Sequence, residues 1–409
     1  MISENVRRMP KTLFLLVALF FLCTPMDYIL PHLGSATILM PLGGMICALC
    51  LLEILLVHNG RFRLQQDAWL LVWLVLLNLA SFVWAQNISA AISHTLSFAM
   101  TAIMYVLLMT YDYDEEQIRK LELASFVGGI LLAIYVFREV NLDLVFAGYR
   151  LDFDNIGGSN FSDPNGLCGR LMLPLFCAVK LFLRSKQLLW RAVSLFSIAA
   201  MGAVIMLTGS RSGLIGSITG LILIVLFGER KKKLGYTVLL LAGIVLVIIW
   251  APRLLPEHIY TRIFSIEKYQ EVTALEGDRL DIWGHVLVDL FPGSPIWGYG
   301  AGNSGIALSM IYGHVKAVHN SYLLVLVDLG LLGFIPWIIY AWKRIRQAVR
   351  LSRWTPFPMS VMTAVFCSSF LLDAIKEKYL WNAFFYVYLC YTVLTKTRQQ
   401  SLRMEQEVE

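Results

Sequence analysis

Three short segments contain the residues best suited to chemistry: Arg211 in TGSRSG, Arg279 in EGDRLDIW and His319 in AVHNSY. A guanidinium group is permanently charged and can donate two parallel hydrogen bonds to phosphate oxygens. An imidazole titrates near neutral pH, so it can accept a proton there. Two arginines and one histidine would suit a glycosyl-pyrophosphate substrate if the fold brings them to one site.

Each of these residues also has an ordinary structural interpretation. Arg211 could be an arginine at the membrane interface that extends its charge toward water. Arg279 follows the acidic stretch 267–278 and precedes Asp281, so it could form a surface ion pair. His319 could be a structural histidine at the start of an apolar helix. No single segment decides between these interpretations.

The composition shows which solvent surrounds these segments. Hydrophobic residues make up 58% of the 409 residues, charged residues 15%, and the mean hydropathy is +0.67. These values are too apolar for a water-soluble globular protein. Inside hydrocarbon a helix satisfies its own backbone hydrogen bonds, whereas an open sheet cannot. We therefore expect an all-α helical bundle that forms one integral membrane domain over residues 1–409.

Apolar runs predict twelve membrane-spanning helices, since about 20 residues of helix cross about 30 Å of hydrocarbon. Their predicted starts are Thr12, Ala36, Asp67, Ala91, Leu121, Asp163, Ala192, Ser212, Tyr236, Asn320, Pro356 and Leu380. An even number of spans places both termini on one side. Of the 34 lysine and arginine residues, 22 fall at that side, so the positive-inside rule makes it cytoplasmic.

The remaining charge and cysteine patterns favour neither a nucleic-acid partner nor a metal. The net charge of +6 follows from the topology, and the basic run 230–233 suits contact with membrane lipids. Cys47 and Cys50 have CxxC spacing but lack a second pair of ligands. His258 and His285 lack trustworthy metal-ligand spacing, as does His314. We expect no disulfide framework and no metal site.

Two predicted outer connections are long, at residues 138–162 and 252–318, and loops of this length are usually functional. The second contains an apolar pattern at helical spacing, which predicts an amphipathic helix at the membrane interface. The residues of that pattern are Arg279, Ile282, Trp283, Val286, Leu287 and Leu290. A glycine-rich stretch, PGSPIWGYGAGN at 292–303, follows this helix and ends it.

Small and hydroxyl-bearing residues surround Arg211. Ser210 and Ser212 lie between glycines, so the backbone can approach a ligand closely while the hydroxyls donate to an anion. The sixth predicted span contains Arg170, and a buried charge there needs a partner. Asp163 or a residue on another helix could supply that partner.

Together these motifs resemble the O-antigen ligase and polymerase superfamily of membrane glycosyltransferases. The resemblance covers residues 160–341 and is strongest in LTGSRSGLIG, in GDRLDIWGHVL with PIWGYGAGN, and in HNSYLLVLVDLGLLG. The segment SDPNGLCGRLMLPL, which contains Asn165 and Arg170, is similar to a further motif of the family.

The resemblance implies an inverting transferase of C-type architecture in the bacterial cytoplasmic membrane, with its site facing the exterior and no cofactor. Its donor would be an oligosaccharide on undecaprenyl pyrophosphate. Arg211 and Arg279 would hold the diphosphate, and His319 would accept the proton of the attacking sugar hydroxyl. Asn320 and Tyr322 would orient the imidazole or a sugar.

Three functions remain open at this point. A polymerase would transfer the glycan to another lipid-linked glycan, whereas a ligase would transfer the finished chain to lipid A core or another acceptor. Between these two enzymes, the sequence slightly favours a polymerase. A transporter of lipid-linked sugars would make no bond, but it should carry charges near the bilayer midplane and have repeated halves. Here the candidate charges are predicted to lie toward one face, which favours an enzyme.

Overall fold

The computed structural model describes residues 7–33, 36–60, 62, 64–151, 163–264 and 279–408, and most of them are helical. The first eight helices are α1 (Lys11–Cys23), α2 (Leu39–Leu56), α3 (Ala68–Ala80), α4 (Ile88–Leu108), α5 (Glu115–Glu139), α6 (Leu142–Phe146), α7 (Pro164–Arg184) and α8 (Leu188–Leu207). The other eight are α9 (Arg211–Phe227), α10 (Lys233–Leu254), α11 (Glu257–Phe264), α12 (Arg279–His285), α13 (Ser304–Tyr312), α14 (Ser321–Leu351), α15 (Phe357–Ser369) and α16 (Lys378–Val408). Two two-residue strands, β1 (His32–Leu33) and β2 (Ala36–Thr37), pair antiparallel.

Among the described residues, seven helices are long and apolar enough to cross a membrane: α2, α4, α5, α7, α8, α10 with its preceding turn, and α14. Four shorter apolar helices, α1, α3, α9 and α15, begin close to further predicted spans. Helix α16 begins near the predicted twelfth span, but its first half is rich in tyrosine and so is less apolar. The all-α class is confirmed, and the number of twelve spans remains a prediction.

The two long connections contain helices of their own. Helix α6 lies in the first, and α11, α12 and α13 lie in the second. Helix α12 continues into a π-helical turn, Val286–Leu290, whose Val286 and Leu290 are buried together with Ile282 of α12. Leu287, which the sequence pattern places on the same apolar face, is about half exposed. A helix with three buried apolar residues therefore lies at these positions, and its location at the membrane interface remains a prediction.

Three helices that carry candidate residues begin with a side-chain cap. Asp163 accepts a hydrogen bond from the Asn165 N–H at the start of α7 (2.8 Å), and the Ser210 hydroxyl accepts one from the Gly213 N–H at the start of α9 (3.2 Å). Asn320 caps α14 in the same way. Each cap satisfies backbone donors that a helix leaves open at its first turn. The sequence therefore predicts these helix starts, because in each case a capping residue precedes the apolar run.

Helix α9 packs closely against α7 and α15. A Cβ added at Gly216 would lie 2.9 Å from the Ala364 carbonyl oxygen, and one at Gly213 would overlap the Cys168 thiol. Only glycine allows the backbones to come this close. The glycines of TGSRSGLIG therefore fix the position of the helix that begins with Arg211.

Helix α14 is broken at Gly330, where φ is 58° and ψ is −159°. The glycine-rich stretch 292–303 lies along this break and pairs with it. The Tyr299 N–H donates to the Val327 carbonyl oxygen (2.8 Å), and the Leu331 N–H donates to the Pro295 carbonyl oxygen (2.9 Å). Inside a membrane, backbone groups freed by a helix break need protein partners. The stretch supplies those partners.

We expect Gly330→Ala to destabilise the protein by at least about 1–3 kcal/mol, because this backbone conformation is almost restricted to glycine. The added Cβ would also lie 2.3 Å from the Ile296 carbonyl oxygen. Thermal unfolding of the purified protein in detergent would measure the loss. Gly243→Ala on α10 is the control, since nothing lies within 4 Å of its Cβ position. Equal stability of the two variants would contradict this account of the break.

Candidate functional site

The TGSRSG turn joins α8 to α9, and its hydroxyl groups already have protein partners. The buried Ser210 hydroxyl donates to Asn165 Oδ1 at 2.7 Å, and Ser212 Oγ lies 3.2 Å from Ser210 Oγ. Gly209 has a φ of +59°, which makes the tight turn possible. The structure thus brings Ser210, Ser212 and Asn165 together, and their binding of substrate remains a prediction.

Three half-buried arginines gather around this turn. Arg150 donates from Nε to the Thr208 carbonyl oxygen at 2.8 Å, and Arg211 donates from Nε to the Arg262 carbonyl oxygen at 2.6 Å. The Arg262 side chain lies 3.3 Å from the Cβ position of Gly209. Three guanidinium groups therefore lie close to one helix N-terminus, a position that favours an anion.

The sequence motifs identify one member of this arginine group. By sequence, Arg150 is a weaker candidate in the first long connection, where it could contact glycan together with Tyr149, Asp152 and Asp154 or belong to a solvated loop. Arg262 stands out only by its place in the second long connection. Arg262 belongs to α11, whose Ile259 is buried. An arginine three residues after a buried position on an amphipathic helix is a weak signal. The contact with the turn is what identifies it.

Arg279 is half-buried and begins α12, which packs beside the segment that carries His319. The Trp283 indole N–H donates to the Val318 carbonyl oxygen at 3.0 Å, and its ring meets Phe370 edge to face at 5.4 Å. Tyr322 packs on the same Phe370 ring at 6.1 Å. The helix of Arg279 and the start of α14 therefore share one aromatic contact.

No hydrogen bond or ion pair between described residues joins Arg211 directly to Arg279 or His319. The connection between the two parts is α15, which packs along α9 and ends beside Phe370. The acidic residues that could pair with Arg279, and two weaker loop candidates, lie outside the described residues. They are Glu267, Glu271, Glu276 and Asp278, and Asp152 and Asp154.

His319 has a backbone conformation that few residues with a side chain adopt. Its φ is +54°, and neighbouring contacts hold it there. The Asn320 N–H donates to Asp373 Oδ1 at 3.0 Å, and Asn320 Oδ1 accepts the Tyr322 N–H at 2.9 Å. A strained conformation of this kind persists only where the surrounding structure enforces it. Asn320 therefore acts as a helix cap, which leaves its expected role in orienting a sugar untested.

Asp373 lies beside His319 in the connection between α15 and α16. Burial raises the pKa of the Asp373 carboxyl above its usual range, while the nearby His319 and the N–H groups of His319 and Asn320 oppose that rise. A carboxylate next to an imidazole is the usual partner of a general base. Sequence reasoning missed Asp373, because nothing in LLDAIKEKY predicts that it returns to His319.

Arg170 is buried and forms an ion pair with Glu377, not with Asp163. It also donates to the Gly166 carbonyl oxygen at 3.1 Å and stacks over the Tyr28 ring at 4.1 Å. The sequence allows Asp163 or a residue on another helix as the partner of Arg170. Asp163 instead caps α7, and the partner is Glu377, directly before α16. These contacts give Arg170 a structural role and supply no evidence that it meets substrate.

A buried histidine that the motifs do not include, His94 of α4, lies near the same end of the bundle. Among the described residues neither of its ring nitrogens has a hydrogen-bond partner, although both are buried. Lys376 is close enough to both His94 and Asp373 for their charges to interact. A polar group within a membrane span is a functional candidate by default. The sequence itself could have identified His94, because it is a histidine inside a predicted apolar helix.

Asp328 supports the glycine-rich stretch. Its buried carboxylate accepts the Gly302 N–H at 2.9 Å and the Ser304 N–H at 2.7 Å.

Lys378, a further charged residue, lies at the start of α16 and forms an ion pair with Asp27 at 2.9 Å. Within the described ranges, no group of three or more His, Cys, Asp or Glu residues could hold a metal ion.

The family comparison agrees with the motifs. Residues 196–338 match the family model described as O-antigen ligase. This segment is less than half of the chain and contains Arg211, Arg279 and His319, whereas Asn165 and Arg170 precede it. The resemblance is confirmed for this segment. No curated protein matches the chain.

We expect Glu377→Gln to lower the free energy of unfolding by about 3–5 kcal/mol, because it removes the carboxylate that forms an ion pair with the buried Arg170. Burial alone would raise the Glu377 pKa, but Arg170 and two lysines lower it below its usual 4.5. The stabilisation by the carboxylate is therefore present above pH 4.5 and lost as pH falls through the lowered pKa.

Thermal unfolding of both proteins from pH 7 to pH 3 would measure this difference, which should shrink in acid. Glu116→Gln is the control, because Glu116 pairs with Lys120 on the exposed surface and such pairs contribute little. A difference that grows as the pH falls below 4.5 would contradict this account of the ion pair.

Proposed function

We propose that this chain, with its O-antigen ligase segment at residues 196–338, transfers a glycan from undecaprenyl pyrophosphate to a sugar hydroxyl outside the cytoplasmic membrane. The family match favours membrane glycosyl transfer of the O-antigen ligase type. The proposed donor and mechanism rest on one observation, the arrangement of side chains around the starts of α9 and α14. An arginine group lies at the start of α9, and His319 has a fixed backbone conformation beside the Asp373 carboxylate.

The arginines would bind the diphosphate. Arg211, Arg150 and Arg262 surround the N-terminus of α9, where the helix dipole also favours negative charge. Arg279 approaches from α12. During transfer, negative charge develops on the departing pyrophosphate, and fixed guanidinium groups stabilise it without a metal ion. No metal or other cofactor enters the proposed reaction.

His319 would act as the general base, with Asp373 beside it. The acceptor hydroxyl oxygen forms a bond to the anomeric carbon while the bond from that carbon to the phosphate oxygen breaks. The hydroxyl proton moves to the His319 imidazole, and undecaprenyl pyrophosphate leaves with the bonding electrons. Attack from the side opposite the leaving group inverts the anomeric centre.

For the acceptor we propose a second lipid-linked glycan, which makes the protein a polysaccharide polymerase. The ligase is the alternative, because both reactions use the same donor chemistry and the family match covers either. The size profile of lipid-linked glycans in a strain lacking the protein separates them. Single repeat units should accumulate for a polymerase, and full-length polymer on its lipid for a ligase. Glycans retained on the cytoplasmic face would support the transporter instead.

We expect His319→Ala to abolish glycan transfer without affecting membrane insertion, because the acceptor hydroxyl loses its base. Transfer would be measured in membranes supplied with the lipid-linked glycan that accumulates in the deletion strain. His314→Ala is the matched control: His314 is exposed, and its ring nitrogen contacts the Tyr312 carbonyl oxygen at 3.0 Å. Normal transfer by His319→Ala would refute the general-base assignment.

We expect Arg211→Lys and Arg279→Lys each to reduce the transfer rate, on the order of 10²-fold, because a lysine cannot reproduce the two-pronged contact of a guanidinium group. The same assay measures the effect. Arg253→Lys tests charge-preserving substitution at an exposed arginine at the end of α10 and should leave the rate unchanged. Full activity of both site variants would argue against diphosphate binding by these residues.

A further inference from the structure

A cavity of about 510 Å³ opens beside the glycine-rich stretch, between it and the connection from α3 to α4. It is lined by Trp84, Gln86, Ser294, Trp297, Gly298 and Tyr299. None of these six residues carries a charge. The cavity falls within the range of about 300–1,000 Å³ that is typical of small-molecule sites. We call it the aromatic cavity.

Two tryptophans give this cavity its chemical character. The Trp84 and Trp297 rings meet edge to face with centroids 5.5 Å apart, and Trp297 is 53% exposed. The indole N–H of Trp84 is buried without a hydrogen-bond partner among the described residues. The nearby Gln86 amide is exposed and has only a weak contact, to the Met310 sulfur at 3.8 Å.

The wall of the cavity is held rigidly. The Ser294 hydroxyl donates to the Gly298 carbonyl oxygen at 2.8 Å, and the Tyr299 hydroxyl donates to the Leu290 carbonyl oxygen at 2.9 Å. Gly298 has a φ of +68°, and a Cβ there would lie 2.5 Å from the Asp328 backbone. A preformed wall lowers the entropy lost when a ligand binds.

The same framework reaches His319. The Ala301 N–H donates to the Ser81 hydroxyl at 3.0 Å, and Asp328 holds the next residue of the stretch, Gly302. The charges of Asp328 and Asp373 interact, and Asp373 accepts the Asn320 N–H. The stretch that lines the cavity and the helix that follows His319 are therefore joined through Asp328.

We propose that the aromatic cavity binds sugar residues of the glycan, and this inference rests on the proposed function. An uncharged cavity does not suit the diphosphate, which needs the arginines. It does suit a pyranose ring, whose C–H face packs on the exposed Trp297 indole while its hydroxyls pair with the exposed Gln86 amide. The cavity is thus a second subsite, selective for the neutral part of the substrate.

The test uses purified full-length protein in detergent and a defined probe. The probe is the oligosaccharide released by mild acid from the lipid-linked glycan of the deletion strain, and binding is measured by saturation-transfer NMR titration. We expect Trp297→Ala to weaken binding at least about tenfold and Trp297→Phe to retain most of it, because phenylalanine keeps an aromatic face. The control is Trp342→Ala on α14, since Trp342 is 56% exposed and lies outside the cavity.

Three results would overturn the inference: no binding by the wild-type protein, wild-type binding by Trp297→Ala, or Trp297→Phe binding no better than Trp297→Ala. Either of the last two results would mean that Trp297 only anchors the protein at the membrane interface. Failure of the proposed function is recognised separately. His319→Ala should bind the probe normally while losing transfer, so its transfer assay reports on the base and its titration reports on the cavity.

Discussion

The requirement that backbone groups find partners inside a membrane determines much of this structure. Helix α14 is interrupted at Gly330, and the interruption persists because the glycine-rich stretch pairs with it. The stretch in turn needs Asp328, whose carboxylate holds its last turn. The sequence around PIWGYGAGN and the sequence after His319 are therefore two sides of one interface.

Charged side chains follow the same rule. Arg170 and Lys378 each have an acidic partner close to the start of α16, and so neither depends on water. The arginines near α9 differ, because several of them gather at one turn. Under the proposed function, the arginines near α9 bind the anionic substrate, whereas Arg170 and Lys378 hold the fold together.

Local patterns predict the helices well and predict the site in part. The expected starts at Asp163, Ser212 and Asn320 lie within one residue of the observed helices, because caps and apolar runs are encoded in adjacent residues. The motif residues Arg211, Arg279 and His319 were equally visible. Asp373, Arg262 and the aromatic cavity were not, since each depends on contacts between segments far apart in the chain. Arg170 shows the same limit, because its partner lies beyond any local spacing.

The backbone of His319 has a further consequence for the proposed reaction. A residue in the left-handed region, fixed on one side by Trp283 and on the other by Asp373, cannot swing toward a distant substrate. Each new acceptor must come to the imidazole. In the proposed polymerase reaction both sugars are carried on lipids, so arrival would depend on diffusion in the plane of the bilayer. The fluidity and carrier content of the membrane would then set the pace of chain growth.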